Sequence, residues 1–323
     1  MNPDRPKAPI AVVIPAFNAG DTLAACLNSV LGQSLPPHEI IVVDDGSTDA
    51  TAQVTQEFRP VVRLLQQENQ GSAVARQLGT LSASSPYIAY LDADDWWPEH
   101  TLARYAEILR LEDIHFLMAD LVRALPGAPA KEHLPRNTTF FPWFMEFLQK
   151  HGKPTGADLF ALTPTQGLEA LLRGYPYFPS ASLARRQAIL DVGGWDRRFR
   201  RCQDFDVALR LARRFPIHFL DSVQAIVGIN EGNKDGRAYV IKQTTGDIRV
   251  LEAHYADNPK DGVYRRQVAR AVARKYYNLG NVCRQTGDRR SAFEAYRGAL
   301  RWPGRRTKAV ARMLLLRLRL DVR

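Results

Sequence analysis

The chain has 323 residues, of which 45% are apolar, and its formal net charge is +10. The length fits one large domain or a domain with an appendage, and no run approaches the ~18 apolar residues of a membrane span. The start is polar, so we expect no signal peptide. The three widely spaced cysteines exclude a disulfide framework and a structural zinc site, and they favour a reducing cytoplasm.

Strands and helices alternate through the first half of the chain. Apolar periodicity predicts strands at 10–16, 39–43, 61–65 and 87–91, with helices at 19–31, after Asp49, at 72–81 and at 99–111. Continuous apolar strands separated by helices indicate a parallel sheet covered on both faces. Ligands bind beyond the carboxyl ends of the strands in such sheets, and the polar motifs of this half lie at those ends.

The second half is less regular. Prolines and aromatic residues predict a loop-rich insertion with an apolar lining at about 125–180, which would shape the acceptor side. Helices are predicted at 183–191 and 204–214, and the chain beyond 238 is mostly helical. Between Tyr276 and Pro303 the spacing of Tyr, Gly and Ala resembles a tetratricopeptide hairpin, although one such repeat cannot bury its own face.

A carboxylate cluster follows the fourth predicted strand. Asp92, Asp94 and Asp95 fall within four positions, where each carboxylate raises the cost of ionising the next unless a cation compensates. Asp92 and Asp94 alternate with Ala93, so in an extended chain they would point the same way. Such oxygen ligands suit a hard divalent cation shared with phosphate oxygens. The cluster therefore predicts a metal–diphosphate site.

Glycine-containing turns follow the second and third predicted strands. Gly46 permits a tight turn after Asp44 and Asp45, an arrangement that alone indicates only a good strand-to-helix turn. Gly71 would let the backbone approach a ligand, and the helix start behind it offers N–H groups to an anion. Arg76 lies one turn into that helix and could reach a phosphate or the carboxylate cluster; a structural ion pair is the simpler alternative.

The order of these motifs, over about residues 9–230, resembles family 2 glycosyltransferases. The segments that carry the resemblance are Val12–Asn18, Asp44–Asp49, Asn69–Gly71 with Ala75-Arg76, Leu91–Asp95, Gly193–Asp196 and Gln203–Leu211. The resemblance implies an α/β GT-A fold, which is a Rossmann-like, mostly parallel sheet with helices on both faces. We expect this domain at 1–235, with a nucleotide-sugar-binding half at 1–112 and an acceptor-binding half at 113–235. A helical C-terminal extension with one tetratricopeptide-like hairpin and a basic terminal helix would follow at 236–323.

The resemblance also implies roles for single residues. Asp45 would bind the uracil or ribose. Asp94 would be the main ligand of a divalent cation, Mn²⁺ or Mg²⁺, Asp92 would hold sugar or ribose hydroxyls, and Asp204 would match the catalytic base. The nucleotide-sugar-binding set as a whole would be Pro15, Ala16, Phe17, Asn18, Asp44, Asp45, Gly71, Arg76, Asp92 and Ala93.

The implied function is metal-dependent, inverting transfer of a sugar from a nucleotide-diphosphate sugar, such as a UDP-sugar, to a glycan or lipid-linked acceptor. The expected setting is cell-envelope or extracellular polysaccharide synthesis. A divalent cation would stabilise the diphosphate leaving group, and inversion needs a base on the opposite face of the sugar. Two alternatives stay open: a non-catalytic GT-A scaffold that binds a nucleotide sugar or a protein partner, and a nucleotidyltransferase. The loop after the first strand lacks the Lys or Arg typical of nucleotidyltransferases.

Two positions depart from the family pattern. Gln203 replaces the usual Glu before the base, which removes a charge and should ease ionisation of Asp204. The His that often follows the last core strand is absent, and Asn230 or Glu231 could take its place. His218 is expected to be structural because it lies between apolar residues of a predicted strand.

Positive charge is concentrated near the C-terminus, where residues 301–323 contain eight basic residues and one acidic residue. On a helix, one stripe would contain Arg305, Lys308, Arg312, Arg319 and Arg323. Residues 305–323 could then lie on an anionic membrane and hold the protein at the inner face of the plasma membrane; a solvated terminal helix is the equal alternative. Nucleic acid is not an expected partner, because the carboxylate clusters would repel its phosphates.

Overall fold

A computed structural model describes residues 6–124, 135–174, 177–229 and 236–317. It divides the chain into two compact units, Met1–Asn230 and Glu231–Arg323. The strands of the N-terminal unit are β1 (Ala8–Ala16), β2 (Pro37–Asp44), β3 (Val62–Gln66), β4 (Tyr87–Tyr90), β5 (Phe116–Ala124), β6 (Lys153–Pro154), β7 (Leu159–Leu162), β8 (Ser182–Arg185) and β9 (Ile217–Gly228). Its helices are α1 (Leu23–Leu31), α2 (Thr51–Glu57), α3 (Ser72–Ser82), α4 (Thr101–Leu111), α5 (Pro142–His151), α6 (Pro164–Arg173), α7 (Arg186–Asp191) and α8 (Gln203–Arg214).

The described strands form a mixed sheet in the order β3-β2-β1-β4-β8-β5-β9-β7-β6. β3, β2, β1 and β4 pair in parallel, and the apolar residues of β1 are buried at the centre of this group. β8 pairs antiparallel with both β4 and β5, and β5 pairs in parallel with β9. The predicted α/β fold is therefore confirmed, and the carboxyl ends of β1 to β4 lie at one edge of the sheet.

The predicted helix at 183–191 was wrong in its first residues. Ser182–Arg185 forms β8, which completes the backbone pairing between β4 and β5, and α7 begins only at Arg186. A four-residue buried strand that runs directly into a helix gives no separate periodicity, which is why the sequence pattern did not reveal it.

The insertion at 125–180 is more ordered in its described part than predicted. Pro142 and Pro164 lie at the first position of α5 and α6, where proline favours a helix start instead of breaking the helix. Phe144 of α5 packs edge-to-face on Phe219 of β9, with the ring centroids 4.9 Å apart. This aromatic residue belongs to the core and does not line an acceptor surface.

The described part of the C-terminal unit consists of α9 (Gly236–Asp257), α10 (Gly262–Gln285), α11 (Arg289–Leu300) and α12 (Arg306–Arg317). A Cβ at Gly280 would lie 2.5 Å from the Tyr296 ring, and a Cβ at Gly298 would lie 2.6 Å from the Tyr276 ring. The small residues therefore let α10 and α11 approach closely as a hairpin. No helix within the described ranges is long and apolar enough to cross a bilayer.

Candidate functional site

The loops after β1 and β2 are joined by hydrogen bonds at the carboxyl edge of the sheet. Asn18 N donates to Ser47 Oγ at 2.9 Å, and Asn18 Oδ1 accepts a backbone N–H of the same turn at 2.9 Å. Asn18 has φ 48°, a left-handed conformation that asparagine tolerates better than most residues. Pro15 and Ala16 are buried, whereas Phe17 is 50% exposed. A ligand at this edge could therefore contact the side chains of Phe17 and Asn18 directly.

Both carboxylate oxygens of Asp45 accept hydrogen bonds from the loop before α3. Gln70 N donates to Oδ1 at 2.9 Å, Gly71 N donates to Oδ2 at 2.8 Å, and Gln67 Nε2 donates to Oδ1 at 2.6 Å. Asp44 accepts in the same way from its own turn and from β3. Since both residues are 3% exposed or less, the role that the structure shows for them is to shape the two loops.

Two glycines at this edge have left-handed backbones. Gly46 has φ +76°, and a Cβ there would lie 2.8 Å from Asn69 N, so the loops after β2 and β3 are in close contact. Gly71 has φ +95° directly before α3, and an added Cβ would meet nothing closer than Arg200 Cγ at 3.9 Å. The start of α3 is thus open to an approaching ligand.

The carboxylate cluster lies in a turn and not on a strand. β4 ends at Tyr90, and Asp95 N donates to Asp92 O at 3.0 Å, which closes the turn through Ala93 and Asp94. The expectation that Asp92 and Asp94 leave an extended chain in the same direction was therefore wrong, because the alternation of a strand does not apply in a turn. Asp92 and Asp94 are part-exposed, and Ala93 is buried.

Asp95 anchors this turn to the rest of the unit. Its Oδ1 accepts from Gly228 N at 2.9 Å at the end of β9, and its Oδ2 accepts from Ser180 Oγ. Ser180 Oγ accepts in turn from Asp92 N at 3.1 Å. Burial, together with the charges of Asp92 and Asp94, raises the pKa of Asp95 well above its ordinary value. The charges of Asp92 and Asp94 therefore oppose ionisation of Asp95.

Arg76 forms an ion pair with Asp92 through Nη2. The arginine side chain is 3% exposed and that of Asp92 is 34% exposed. Burial lowers the pKa of Arg76, but the charge and hydrogen bond of Asp92 and the charge of Asp204 outweigh burial and raise it. The Nε and Nη1 atoms of Arg76 are buried without a hydrogen-bond partner. The charges of Asp92 and Asp204 therefore both act on the buried guanidinium group of Arg76.

The ring of Trp195 supports Arg76 from one side. The guanidinium carbon lies 5.0 Å from the Trp195 ring centroid, a cation–π contact. Trp195 Nε1 donates to Tyr90 Oη at 2.9 Å, and Tyr90 Oη is hydrogen-bonded to Thr80 Oγ1 at 2.6 Å. No role was predicted for Tyr90 or Trp195. The sequence contained one indication of this contact: Tyr90 lies in a predicted buried strand, and a buried tyrosine hydroxyl requires a hydrogen-bond partner.

α8 places Asp204 in its first turn, where the free N–H groups of a helix favour a carboxylate. Cys202, immediately before α8, has φ 58°. Gln203 Nε2 donates to Ser72 Oγ at 2.8 Å, which joins the start of α8 to the start of α3. Gln203 Oε1 is buried and has no hydrogen-bond partner, so a glutamate here would place a charge in a buried position.

The end of β9 lies beside the carboxylate turn. A Cβ at Gly228 would lie 2.3 Å from Asp94 O. His218 is near the opposite end of this strand and is 5% exposed, and burial lowers its pKa. These observations agree with the structural role predicted for it. Asn230 and Glu231, the predicted replacements for the family histidine, lie outside the described residues.

The carboxylate turn offers oxygen ligands but not a complete metal site. In the part of the chain that the structure describes, no group of three or more His, Cys, Asp or Glu side chains could hold a metal ion. Asp92 and Asp94 are part-exposed carboxylates of one turn, and their charges oppose ionisation of Asp95. This donor set fits a hard divalent cation that takes its remaining ligands from a bound diphosphate.

Parts of this chain are similar in sequence to known glycosyltransferases. Residues 11–160 match the model of the family described as Glycosyl transferase family 2. The putative teichuronic acid biosynthesis glycosyltransferase TuaG of Bacillus subtilis is 33% identical over 141 residues, which are 42% of this chain and 56% of that protein. The UDP-Glc:alpha-D-GlcNAc-diphosphoundecaprenol beta-1,3-glucosyltransferase WfaP of Escherichia coli is 30% identical over 109 residues, 33% of this chain and 43% of that protein. The chain therefore covers only about half of each relative's length.

Solved structures share the fold at low sequence identity. S. aureus TarS 1-349 in complex with UDP-GlcNAc gives a TM-score of 0.62 at 16% identity, covering 90% of this chain and 81% of that one. The mannosyltransferase PcManGT from Pyrobaculum calidifontis, in complex with GDP-Man and Mn²⁺, gives a TM-score of 0.60 at 17% identity. The match covers 96% of this chain and 81% of that one. At these identities the likeness concerns the fold alone.

Proposed function

We propose that this chain, whose residues 11–160 match the model of glycosyl transferase family 2, is a metal-dependent, inverting glycosyltransferase of that family. It moves a sugar from a nucleotide-diphosphate sugar, with UDP-sugars as the first candidates, to a glycan or lipid-linked acceptor. One observation carries this proposal: the buried Arg76 pairs with Asp92, which shares a turn with Asp94, and the charge of Asp204 also acts on Arg76. This pair lies at the edge of the sheet where open α/β folds bind ligands.

The donor nucleotide occupies the loops after β1, β2 and β3. Phe17 supplies exposed ring surface for the base, and Gly71 exposes the N–H groups at the start of α3 to the diphosphate. Asp45 holds the loop before α3 and keeps a lone pair for a uracil or ribose contact. Asp92 contacts hydroxyl groups of the sugar or ribose while it remains paired with Arg76.

Asp94 would hold a divalent cation, Mn²⁺ or Mg²⁺, beside the donor diphosphate. A cation held there would stabilise the charge that develops on the leaving diphosphate. The charges of Asp92 and Asp94, which oppose ionisation of Asp95, support this proposal, as does the Mn²⁺ recorded with PcManGT.

Asp204 acts as the base of a single displacement. Its carboxylate takes the proton of an acceptor hydroxyl, and the hydroxyl oxygen forms a bond to the anomeric carbon. The bond from that carbon to the diphosphate oxygen breaks, and the nucleoside diphosphate leaves with the electron pair. The positive charge of Arg76 attracts the carboxylate of Asp204, and the neutral Gln203 adds no opposing charge.

The acceptor belongs to cell-envelope or extracellular polysaccharide assembly, at the cytoplasmic face of the plasma membrane. The names of TuaG and WfaP support this part of the proposal, and the name of WfaP specifies an acceptor on diphosphoundecaprenol. Nucleic acid is not a proposed partner. The alternative is a non-catalytic scaffold that binds a nucleotide sugar or a protein partner without turnover.

A donor screen tests the proposal. Thermal stabilisation and hydrolysis of UDP-, GDP- and dTDP-sugars would be measured on the full chain, with and without Mn²⁺. One donor class should stabilise the protein in a Mn²⁺-dependent manner. Asp94→Ala should abolish that dependence, and Asp204→Asn should keep donor binding and lose turnover. The exposed carboxylate of Asp113, which pairs with Arg185, provides a control variant, Asp113→Asn.

Three outcomes contradict the proposal in different ways. No response to any donor would remove the donor-binding proposal. Donor binding without hydrolysis or transfer in the wild-type protein would favour the scaffold. Full turnover by Asp204→Asn would show that another group is the base.

A further inference from the structure

The C-terminal unit carries the whole positive excess of the chain. Residues 231–323 contain 22 Lys and Arg against nine Asp and Glu, whereas residues 1–230 contain 22 against 25. The excess is not confined to the terminal segment, because α10, α11 and the residue after α11 expose Arg266, Arg270, Arg290, Arg297 and Arg301. A basic unit of this kind attracts polyanionic surfaces.

One side of α12 packs against the rest of its unit. Ala309 is fully buried and Leu316 is 7% exposed. The guanidinium carbon of Arg305 lies 5.7 Å from the Tyr277 ring centroid, and a hydrogen bond with Tyr277 raises the pKa of Arg312. Two cations of the predicted basic stripe therefore contact the protein, and Arg319 and Arg323 lie outside the described residues.

The other side of α12 carries a short apolar strip between cations. Val310 is 44% exposed and Leu314 is 53% exposed, one helical turn apart. Arg306 precedes Val310 by one turn, Arg317 follows Leu314 by three residues, and both are exposed. The order along this face is therefore cation, apolar, apolar, cation.

We propose that this outward face of α12 binds the surface of an anionic phospholipid bilayer. Val310 and Leu314 insert between the head groups, and Arg306 and Arg317 contact lipid phosphates. The aliphatic stems of the arginines can lie along the apolar region while their guanidinium groups stay at head-group level. Apolar burial and attraction to anionic lipid then act together.

The exposed Val310 and Leu314 favour an anionic bilayer over other polyanionic partners. A nucleic acid or a dissolved glycan would use the cations of the unit but would gain little from Val310 and Leu314. A bilayer can bind the cations through its anionic head groups and can also bury the two apolar side chains. The inference rests on the proposed function only for its setting at a membrane, and it names the lipid class and the contact residues.

Vesicle sedimentation of the full chain tests the proposal. We expect binding to vesicles of phosphatidylcholine with phosphatidylglycerol, little binding to phosphatidylcholine alone, and weaker binding as salt is raised. The double variant Val310→Asp/Leu314→Asp should lower the partition coefficient by about tenfold. Arg306→Gln/Arg317→Gln should weaken binding to the anionic vesicles. The matched control is Val263→Asp on α10, where the valine is 62% exposed, and it should bind as the wild type does.

Several results would overturn the proposal. These are absence of binding to the anionic vesicles, equal binding by the wild type and the Val310→Asp/Leu314→Asp variant, or equal loss in the Val263→Asp control. Preferential binding to single-stranded RNA over the vesicles would also overturn it. Circular dichroism checks that each variant is folded. Donor-induced thermal stabilisation on the same proteins separates the two proposals, because vesicle binding without any donor response would contradict only the proposed transfer.

Discussion

Arg76 and Asp92 form an ion pair in which the arginine is almost fully buried and the aspartate is one-third exposed. The pair joins α3 to the turn after β4, and the charge of Asp204 also acts on the cation of the pair. It connects motifs that are separate in the sequence, and it orients a carboxylate that we propose to contact the donor.

Arg76→Met should lower both stability and donor affinity. The variant keeps most of the buried volume, but Asp92 loses its cation and the contact with Trp195 changes. Because Asp92 is part-exposed and water can solvate it, we expect a loss of about 1–3 kcal/mol in the free energy of unfolding, measured in urea. Arg76→Lys keeps the charge without the planar group and should show a smaller loss. Unchanged stability in both variants would contradict a stabilising role for the pair.

Asp45→Asn should disturb the loop before α3. Gln70 N and Gly71 N each donate to a different oxygen of Asp45, and an amide offers only one oxygen, so one N–H would face another donor. We expect a loss of about 1–3 kcal/mol in stability and a smaller nucleotide-induced rise in Tm. Asp21→Asn, at an exposed carboxylate before α1, is the control. A normal nucleotide response in the Asp45 variant would argue against this loop as the donor site.

Much of the sheet could be predicted because buried parallel strands are continuous apolar runs. The strand predicted at 10–16 is Ala8–Ala16, and the strand predicted at 87–91 is Tyr87–Tyr90. β4 ends one residue before the predicted end, and residues 92–95 form a turn in which the alternation of an extended chain does not apply. Periodicity does not locate a strand end to one residue, and the side-chain directions that follow from it were therefore wrong.

The residue types of the site could also be predicted, but their pairing could not. The sequence indicated that Arg76 could reach the carboxylate cluster, and that Asp95 would either support the loop or be the residue that Arg76 meets. In the turn, Asp92 forms an ion pair with Arg76, and Asp95 accepts hydrogen bonds from Ser180 and Gly228. These partners come from distant segments, and only the packing of β9 and the Ser180 loop against the turn selects them.

Glu39→Gln should destabilise the protein at neutral pH and much less in acid. Glu39 Oε1 accepts hydrogen bonds of 2.8–3.0 Å from the backbone and hydroxyl groups of Ser84 and Ser85. Burial raises the pKa of Glu39, but these hydrogen bonds outweigh it and lower the pKa overall. A lowered pKa stabilises the fold above the unfolded value of about 4.3, and this contribution is lost as the pH falls through the folded pKa.

Urea unfolding of the wild type and of Glu39→Gln at pH 7 and pH 3 measures this effect. The difference in the free energy of unfolding should be clear at pH 7 and should shrink at pH 3. A difference that is the same at both pH values would show that the charge of Glu39 does not contribute.

Gln203→Glu should change the pH dependence of the proposed reaction. The variant replaces a neutral buried side chain by a second carboxylate next to Asp204, and each carboxylate makes ionisation of the other harder. The acidic limb of the kcat/KM profile should therefore move to higher pH by about one unit, while donor binding, measured by thermal shift, should persist. Gln203→Met is the matched control, because it removes the hydrogen bond to Ser72 without adding charge and should leave the limb in place. Two results would contradict this prediction: an acidic limb that does not move in Gln203→Glu, or one that moves equally in Gln203→Met. Either result would show that the limb does not report the ionisation of Asp204, and the assignment of Asp204 as the base would lose its main kinetic support.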